Sequence, residues 1–112
     1  MVEGRIEFGL APPCIDAADV YVDVEDTTYA DAPAVKVFRE RLTGMSYGGE
    51  PEGMVFRMHY IPQRRAGATH TLRVLVDLDR DGQPGRGAYV SYQAVRVPEA
   101  GAVAHIRVRR ID

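Results

Sequence analysis

Cysteine is nearly missing from this chain of 112 residues. Cys14 stands alone, which excludes an internal disulfide framework and a thiolate metal cluster. It sits beside Pro12 and Pro13 with no basic neighbour, so nothing lowers its pKa towards a catalytic thiolate. Tryptophan is absent, and the only serines, Ser46 and Ser91, have no nucleophile-elbow context. No apolar run approaches membrane-spanning length. No segment offers a helical i, i+3, i+4 stripe of useful length. Basic residues are missing between Arg5 and Lys36, a stretch that holds Glu7, Asp16, Asp19, Asp23, Glu25, Asp26 and Asp31. Lys36 is also the lone lysine among fourteen basic residues.

What remains is ordinary globular material, 46% apolar and 27% charged, enough for one domain over residues 1–112 with a real core. A formal net charge of −2 gives no reason to expect nucleic acid as a partner. The acidic N-terminal third and the arginines of the last segment, Arg107, Arg109 and Arg110, are read as acidic and basic strands that pair across a sheet. The box Leu10-Ala11-Pro12-Pro13-Cys14 has Pro13 where a lipoprotein cleavage site wants a small residue, with no basic region or apolar run before it. With neither signal peptide nor lipobox, the chain as written is expected in the cytoplasm.

Period-two alternation runs through most of the sequence. Ile6 and Phe8 share one side of the first strand. Val20, Val22 and Val24 alternate with Tyr21, Asp23 and Glu25, a half-buried strand with its acidic side in water. Residues 35–42 are β-rich with neither face cleanly apolar. Met54, Phe56, Met58 and Tyr60 form a core-facing set against Val55, Arg57, His59 and Ile61. His70, Leu72, Val74, Val76 and Leu78 make the strongest apolar row, and residues 89–97 and 102–109 complete the set. Proline and glycine clusters separate the segments. About seven short strands and no helix predict an all-β fold, an antiparallel β-sandwich of the immunoglobulin or transthyretin kind.

The run Ala18-Asp19-Val20-Tyr21-Val22-Asp23-Val24-Glu25-Asp26-Thr27-Thr28-Tyr29-Ala30-Asp31-Ala32-Pro33-Ala34 resembles the V-x-V-x-L-x-D-x-S/T-x-x-D-A-P signature of the YbaY/YscW family. Phe56 to Tyr60, and then Leu72-Arg73-Val74-Leu75-Val76-Asp77 with its acidic turn, are similar to that family's second half. These are small bacterial β-sandwich proteins, many of them outer-membrane lipoproteins. The resemblance implies a sandwich and, for the YscW branch, a pilot role in assembling a secretion-system ring. That role depends on delivery to the outer membrane, so the missing signal peptide and lipidated cysteine keep it from being carried over.

The acidic loop carries the most specific local chemistry. Asp77, Asp79 and Asp81 occupy positions one, three and five of a calcium loop, with Gly82 at its turn. Ala88 stands where the bidentate acid belongs, the flanks are strands, and Arg80 and Arg86 offset the charge. The competing reading is a polar hairpin turn closed by Asx-type bonds, with Asp77 solvated opposite the core row. His59, His70 and His105 lie on three different strands without ligand spacing. The glycine-rich 82–87 precedes no helix, so a phosphate cradle is disfavoured. The tyrosines Tyr21, Tyr29, Tyr47, Tyr60, Tyr89 and Tyr92 are expected mainly in the core or at edges.

The sequence therefore predicts a non-catalytic module without a cofactor. It meets another protein, or a second copy, through an edge strand or a charged face such as Arg39 with Arg41 or Arg107 with Arg109. The alternative is a calcium-stabilised module for carbohydrate or cell-envelope ligands.

Overall fold

A computed structural model describes residues 2–9, 12–29, 31–59, 67–98 and 101–112. Within them lie eight strands and no helix: β1 (Val2–Glu7), β2 (Ile15–Asp26), β3 (Val35–Tyr47), β4 (Met54–Met58), β5 (His70–Asp77), β6 (Tyr89–Ser91), β7 (Val95–Arg96) and β8 (Val103–Arg110). Met1, Leu10, Ala11, Ala30, Tyr60, Ile61 and residues 62–66 and 99–100 fall outside the described residues.

The all-β expectation matches, but the two-sheet sandwich gives way to one continuous path. Its strand order is β3-β2-β5-β6-β8-β1-β4, with β7 pairing β5. The path curls until its edge strands β3 and β4 approach, where the His59 backbone N–H donates to Glu40 Oε2 at 3.3 Å. The result is nearly a closed barrel. Nor is the sheet wholly antiparallel, because β1 and β8 run parallel from Glu3↔Val103 to Glu7↔Arg107. Parallel neighbours need a long crossover, and nearly the whole chain between these terminal strands supplies it.

The alternating residues sort as the pleat requires. Ile6, Val20, Val22, Val24, Phe56, Met58, Val74, Val76 and Ile106 point inward and are fully or almost fully buried. Gly4 lies opposite Phe56 in the β1–β4 register. A Cβ on Gly4 would sit 2.3 Å from the Phe56 ring, so the glycine makes the space the aromatic fills.

Two departures from simple alternation shape the outer surface. The segment expected as a single strand over 89–97 divides into β6 and β7. Ser91 causes the break locally, because its Oγ accepts the Val74 N–H at 3.0 Å in place of a backbone carbonyl. The second departure is burial on the outside of β2 and β5. Tyr21, Leu75 and Ala88 form a small external cluster with Val90 and Ile111 packed on it. The C-terminal tail closes this cover, since Gly87 N–H donates to Ile111 O and Ile111 N–H to Ala88 O, both at 2.8 Å.

Candidate binding surface

The acidic side of β2 is buried rather than solvated. Asp19 is 2% exposed and Asp23 6%. Register supplies the reason. On β3, Arg41 stands beside Tyr21 and Arg39 beside Asp23, while on β5 Asp77 faces Asp19 and Arg73 faces Asp23. Asp23 accepts Arg39 Nε at 2.7 Å and Arg39 Nη2 at 3.2 Å, with Lys36 Nζ 3.4 Å away. Asp19 accepts Arg41 Nε at 3.1 Å and Nη2 at 2.6 Å. Both guanidinium groups lean over Tyr21, 4.7 and 5.9 Å from its centroid. Their hydrogen bonds to Asp23 and Asp19 raise the pKa values of Arg39 and Arg41, so both stay charged. The acidic strand thus pairs with basic partners as expected, but those partners come from β3 and, for Glu25, from Arg73 of β5 at 3.5 Å. On β8, His105 Nδ1 lies 3.1 Å from Glu7 Oε2 and Arg107 Nε 3.6 Å from Glu7 Oε1. Arg109 stacks over Tyr92 at 5.4 Å.

Beside this network runs a groove of about 470 Å³ with Leu75, Val90, Pro84 and Ile111 on its apolar side and Lys36, Arg39 and Arg73 on its charged side. One wall of the groove is built by β3, the long edge strand. It hydrogen-bonds to β2 along one side, and among the described residues its other side approaches β4 without strand pairing. Val35 is 61% exposed and Val37 48%. The lack of a clean apolar face in residues 35–42 is the sequence signature of this edge position.

The acidic loop is a turn clasped by its first carboxylate. Asp77 is 1% exposed, not solvated. Its Oδ1 accepts the Arg80 N–H at 3.1 Å and its Oδ2 the Gly82 N–H at 2.6 Å. Arg80 is held at φ 59°, in the left-handed region where a side chain is costly. Asp81 Oδ1 accepts the Gln83 N–H at 3.0 Å in an Asx turn, and Asp79 is exposed. Both Asp77 oxygens already hold backbone donors, so a cation there would displace them. Among the described residues no three histidine, cysteine, aspartate or glutamate side chains gather closely enough to hold a metal.

The family-like run also has a structural use. Asp26 Oδ1 accepts both the N–H and the hydroxyl of Thr28, and Thr28 Oγ1 accepts the Thr69 N–H at 2.9 Å. Those bonds close the end of β2 and tie it to the approach of β5. His70 lies on β5 and His105 on β8, while His59 follows the end of β4; Cys14 is exposed, and Ser46 is an exposed residue of β3.

A second cleft, about 360 Å³, lies at one end of the barrel between Phe8, Tyr47, Glu50, Tyr92 and Arg107. Phe8 stacks on Tyr47 at 4.9 Å and meets Tyr89 edge-on at 5.0 Å. The Tyr47 hydroxyl donates to Glu50 O at 2.6 Å. Burial, followed by the charges of Glu50 and Glu52, raises the Tyr47 pKa. A phenol with a raised folded-state pKa contributes stability that is complete below its unfolded value, about 10, and lost as pH rises through the folded value. Alkaline unfolding is therefore expected to steepen above about pH 10. Tyr47→Phe should flatten that limb while costing about 1 kcal/mol at neutral pH for the lost hydrogen bond. Urea melts at two pH values measure both effects.

No protein-family model matches the chain, and no curated protein matches it in sequence. The YbaY/YscW resemblance therefore rests on the residues quoted for it. Among solved structures the chain is similar to an alternative pilotin from the type II secretion system of Vibrio cholerae. The TM-score is 0.63 at 15% sequence identity, over 99% of this chain and 96% of that one. At that identity the likeness is one of fold.

Proposed function

We propose that this domain is a non-catalytic protein-binding module that acts in assembling a cell-envelope secretion apparatus, as a pilot-like partner of one of its components. The observation that carries the reading is a fold likeness to a pilotin along almost the full length of both chains. The groove beside β3 gives such a module somewhere to hold a partner. The side chains that nucleophilic chemistry would need are dispersed or engaged, Ser91 Oγ for example by the Val74 amide.

Deleting the gene in its native host tests the proposal. The amount of assembled secretion ring in the outer-membrane fraction should fall several-fold and return on complementation. An unchanged amount would overturn the reading.

The calcium-stabilised alternative predicts a different result, because a ligand of the folded state raises the melting temperature by mass action. With both Asp77 oxygens held by backbone N–H groups, the expected melting temperature is the same in millimolar calcium and in chelator. A rise with calcium would restore the alternative.

A further inference from the structure

We infer that the outer face of β8, β1 and β4 is a membrane-facing surface, on which a diagonal of arginines meets the phosphates of an anionic phospholipid bilayer. This goes beyond the protein-binding role proposed above, because the groove lies over the other half of the strand path.

Register builds the surface. Val2, Gly4 and Ile6 of β1 point inward, which turns Glu3, Arg5 and Glu7 outward. By the same alternation β4 presents Val55 and Arg57, and β8 presents Val103, His105, Arg107 and Arg109. Arg57 stands beside Glu3, Arg5 between Val55 and His105, and Arg107 beside Glu7. Arg57, Arg5 and Arg107 therefore run diagonally over three strands, and Arg109 extends the line along β8.

The charges are layered. The Glu3 and Glu7 side chains are 32% and 36% exposed, whereas those of Arg57 and Arg107 are 68% and 64% exposed. The carboxylates lie beneath, so the outermost layer is cationic. Four arginines against two glutamates make the face positive in a chain whose net charge is −2. Such a dipole turns this side towards an anionic surface.

Arg5 is the cation without an anion. Glu3 is taken by Arg57, and Glu7 by His105 and Arg107. Among the described residues no carboxylate pairs with Arg5, and its Nε is buried without an acceptor. A partly desolvated guanidinium is costly to leave unmatched, and an anion brought over it from outside relieves that cost.

Shape and composition select the occupant. Of the described clefts, the one at the barrel end reaches this face at Glu7 and Arg107 alone, and the groove does not reach it. The centre is therefore an open sheet surface. A protein interface has an apolar centre with aromatic anchors. Here the outward apolar residues are Val55 and Val103, and Arg5 holds the centre. A plane of headgroups suits this better, because arginine stays charged and its planar fork takes two phosphate oxygens at once.

The test is sedimentation of the intact domain with vesicles at low ionic strength. One set is equal parts phosphatidylglycerol and phosphatidylcholine, the other phosphatidylcholine alone. The domain should pellet with the anionic vesicles and not with the neutral ones, and about 0.5 M salt should release it. Arg5→Gln, which breaks no ion pair, should weaken binding about five-fold without lowering the melting temperature. Glu3→Gln should strengthen binding, and Arg86→Gln, the same change of charge on the β5–β6 connection, should leave it unaltered. Nitroxide-labelled headgroups should broaden the backbone resonances of β1, β4 and β8 and spare β2 and β5. Equal binding to neutral vesicles, an unchanged affinity of Arg5→Gln, or broadening centred on β2 and β5 would overturn the inference. So would capture of a polyglutamate peptide or duplex DNA by this face while the vesicles stay free. Loss of assembled ring on gene deletion without vesicle binding would remove this surface and leave the assembly role standing. Vesicle binding with an unchanged ring would do the reverse.

Discussion

Gly4→Val is expected to destabilise the domain by about 3 kcal/mol, near the upper end of what overpacking a core costs. The cause is geometric. A β-carbon at residue 4 would fall 2.3 Å from Cζ and 2.4 Å from Cε1 of Phe56, whose ring is 2% exposed and lies directly across the β1–β4 ladder. The ring is rigid and enclosed, so relief requires β1 and β4 to separate. Removing the ring instead, Phe56→Ala, should cost about 4 kcal/mol as lost burial plus cavity. The two changes occupy the same space from opposite sides. The double variant Gly4→Val/Phe56→Ala should therefore cost less than the sum of the single changes by about 2 kcal/mol. Urea denaturation of the four proteins gives the coupling directly. Strict additivity would mean that Phe56 does not lie over Gly4. Against a total stability of about 5–15 kcal/mol, either single change leaves a marginal protein.

Asp77→Ala should produce the next largest loss, about 2–4 kcal/mol, because one buried carboxylate satisfies two backbone donors of the hairpin loop. Asp77→Asn offers a single acceptor oxygen and an amide that faces an N–H, so it should recover only a minor part. Arg80 provides an independent check. Its φ of 59° is maintained by the Asp77 clasp. Once the clasp is gone, Arg80→Gly should regain about 1 kcal/mol by removing the left-handed penalty. If Asp77→Ala melts like the parent protein, the carboxylate is not what holds this turn.

Much of the strand content was legible because a pleated strand writes its two faces into alternate residues. The valine row of β2, the Leu72, Val74 and Val76 row of β5 and the Ala104, Ile106 and Val108 row of β8 all face the core as the alternation implied. Pattern fails where the second face is covered by something distant in sequence. Asp23 and Asp77 read as solvated, yet Asp23 is buried beneath Arg39 of β3 and Asp77 against the turn backbone, while a tail that returns to Ile111 covers Tyr21 and Leu75 beside them. Alternation likewise carries no information on which strands become neighbours, so the parallel β1–β8 closure and the single curled path were not visible. The candidate surface was half legible. Arg39 with Arg41 stood out as a charged alternation, and residues 35–42 read as β-rich with neither face cleanly apolar, but which strand lies at the edge was not visible. That their partners would be Asp23 and Asp19 depended on register, which bulges in the β2–β3 ladder shift.

Lys36 makes the central claim directly measurable. As the chain's lone lysine, it limits amine-reactive side-chain cross-linking to the edge strand itself. Its side chain is 47% exposed. Cross-linking in the native host, followed by peptide mass spectrometry, should join Lys36 to one segment of a secretion-assembly protein. Cross-links that join Lys36 only to a second copy of this chain, or that scatter over unrelated proteins, would contradict the account.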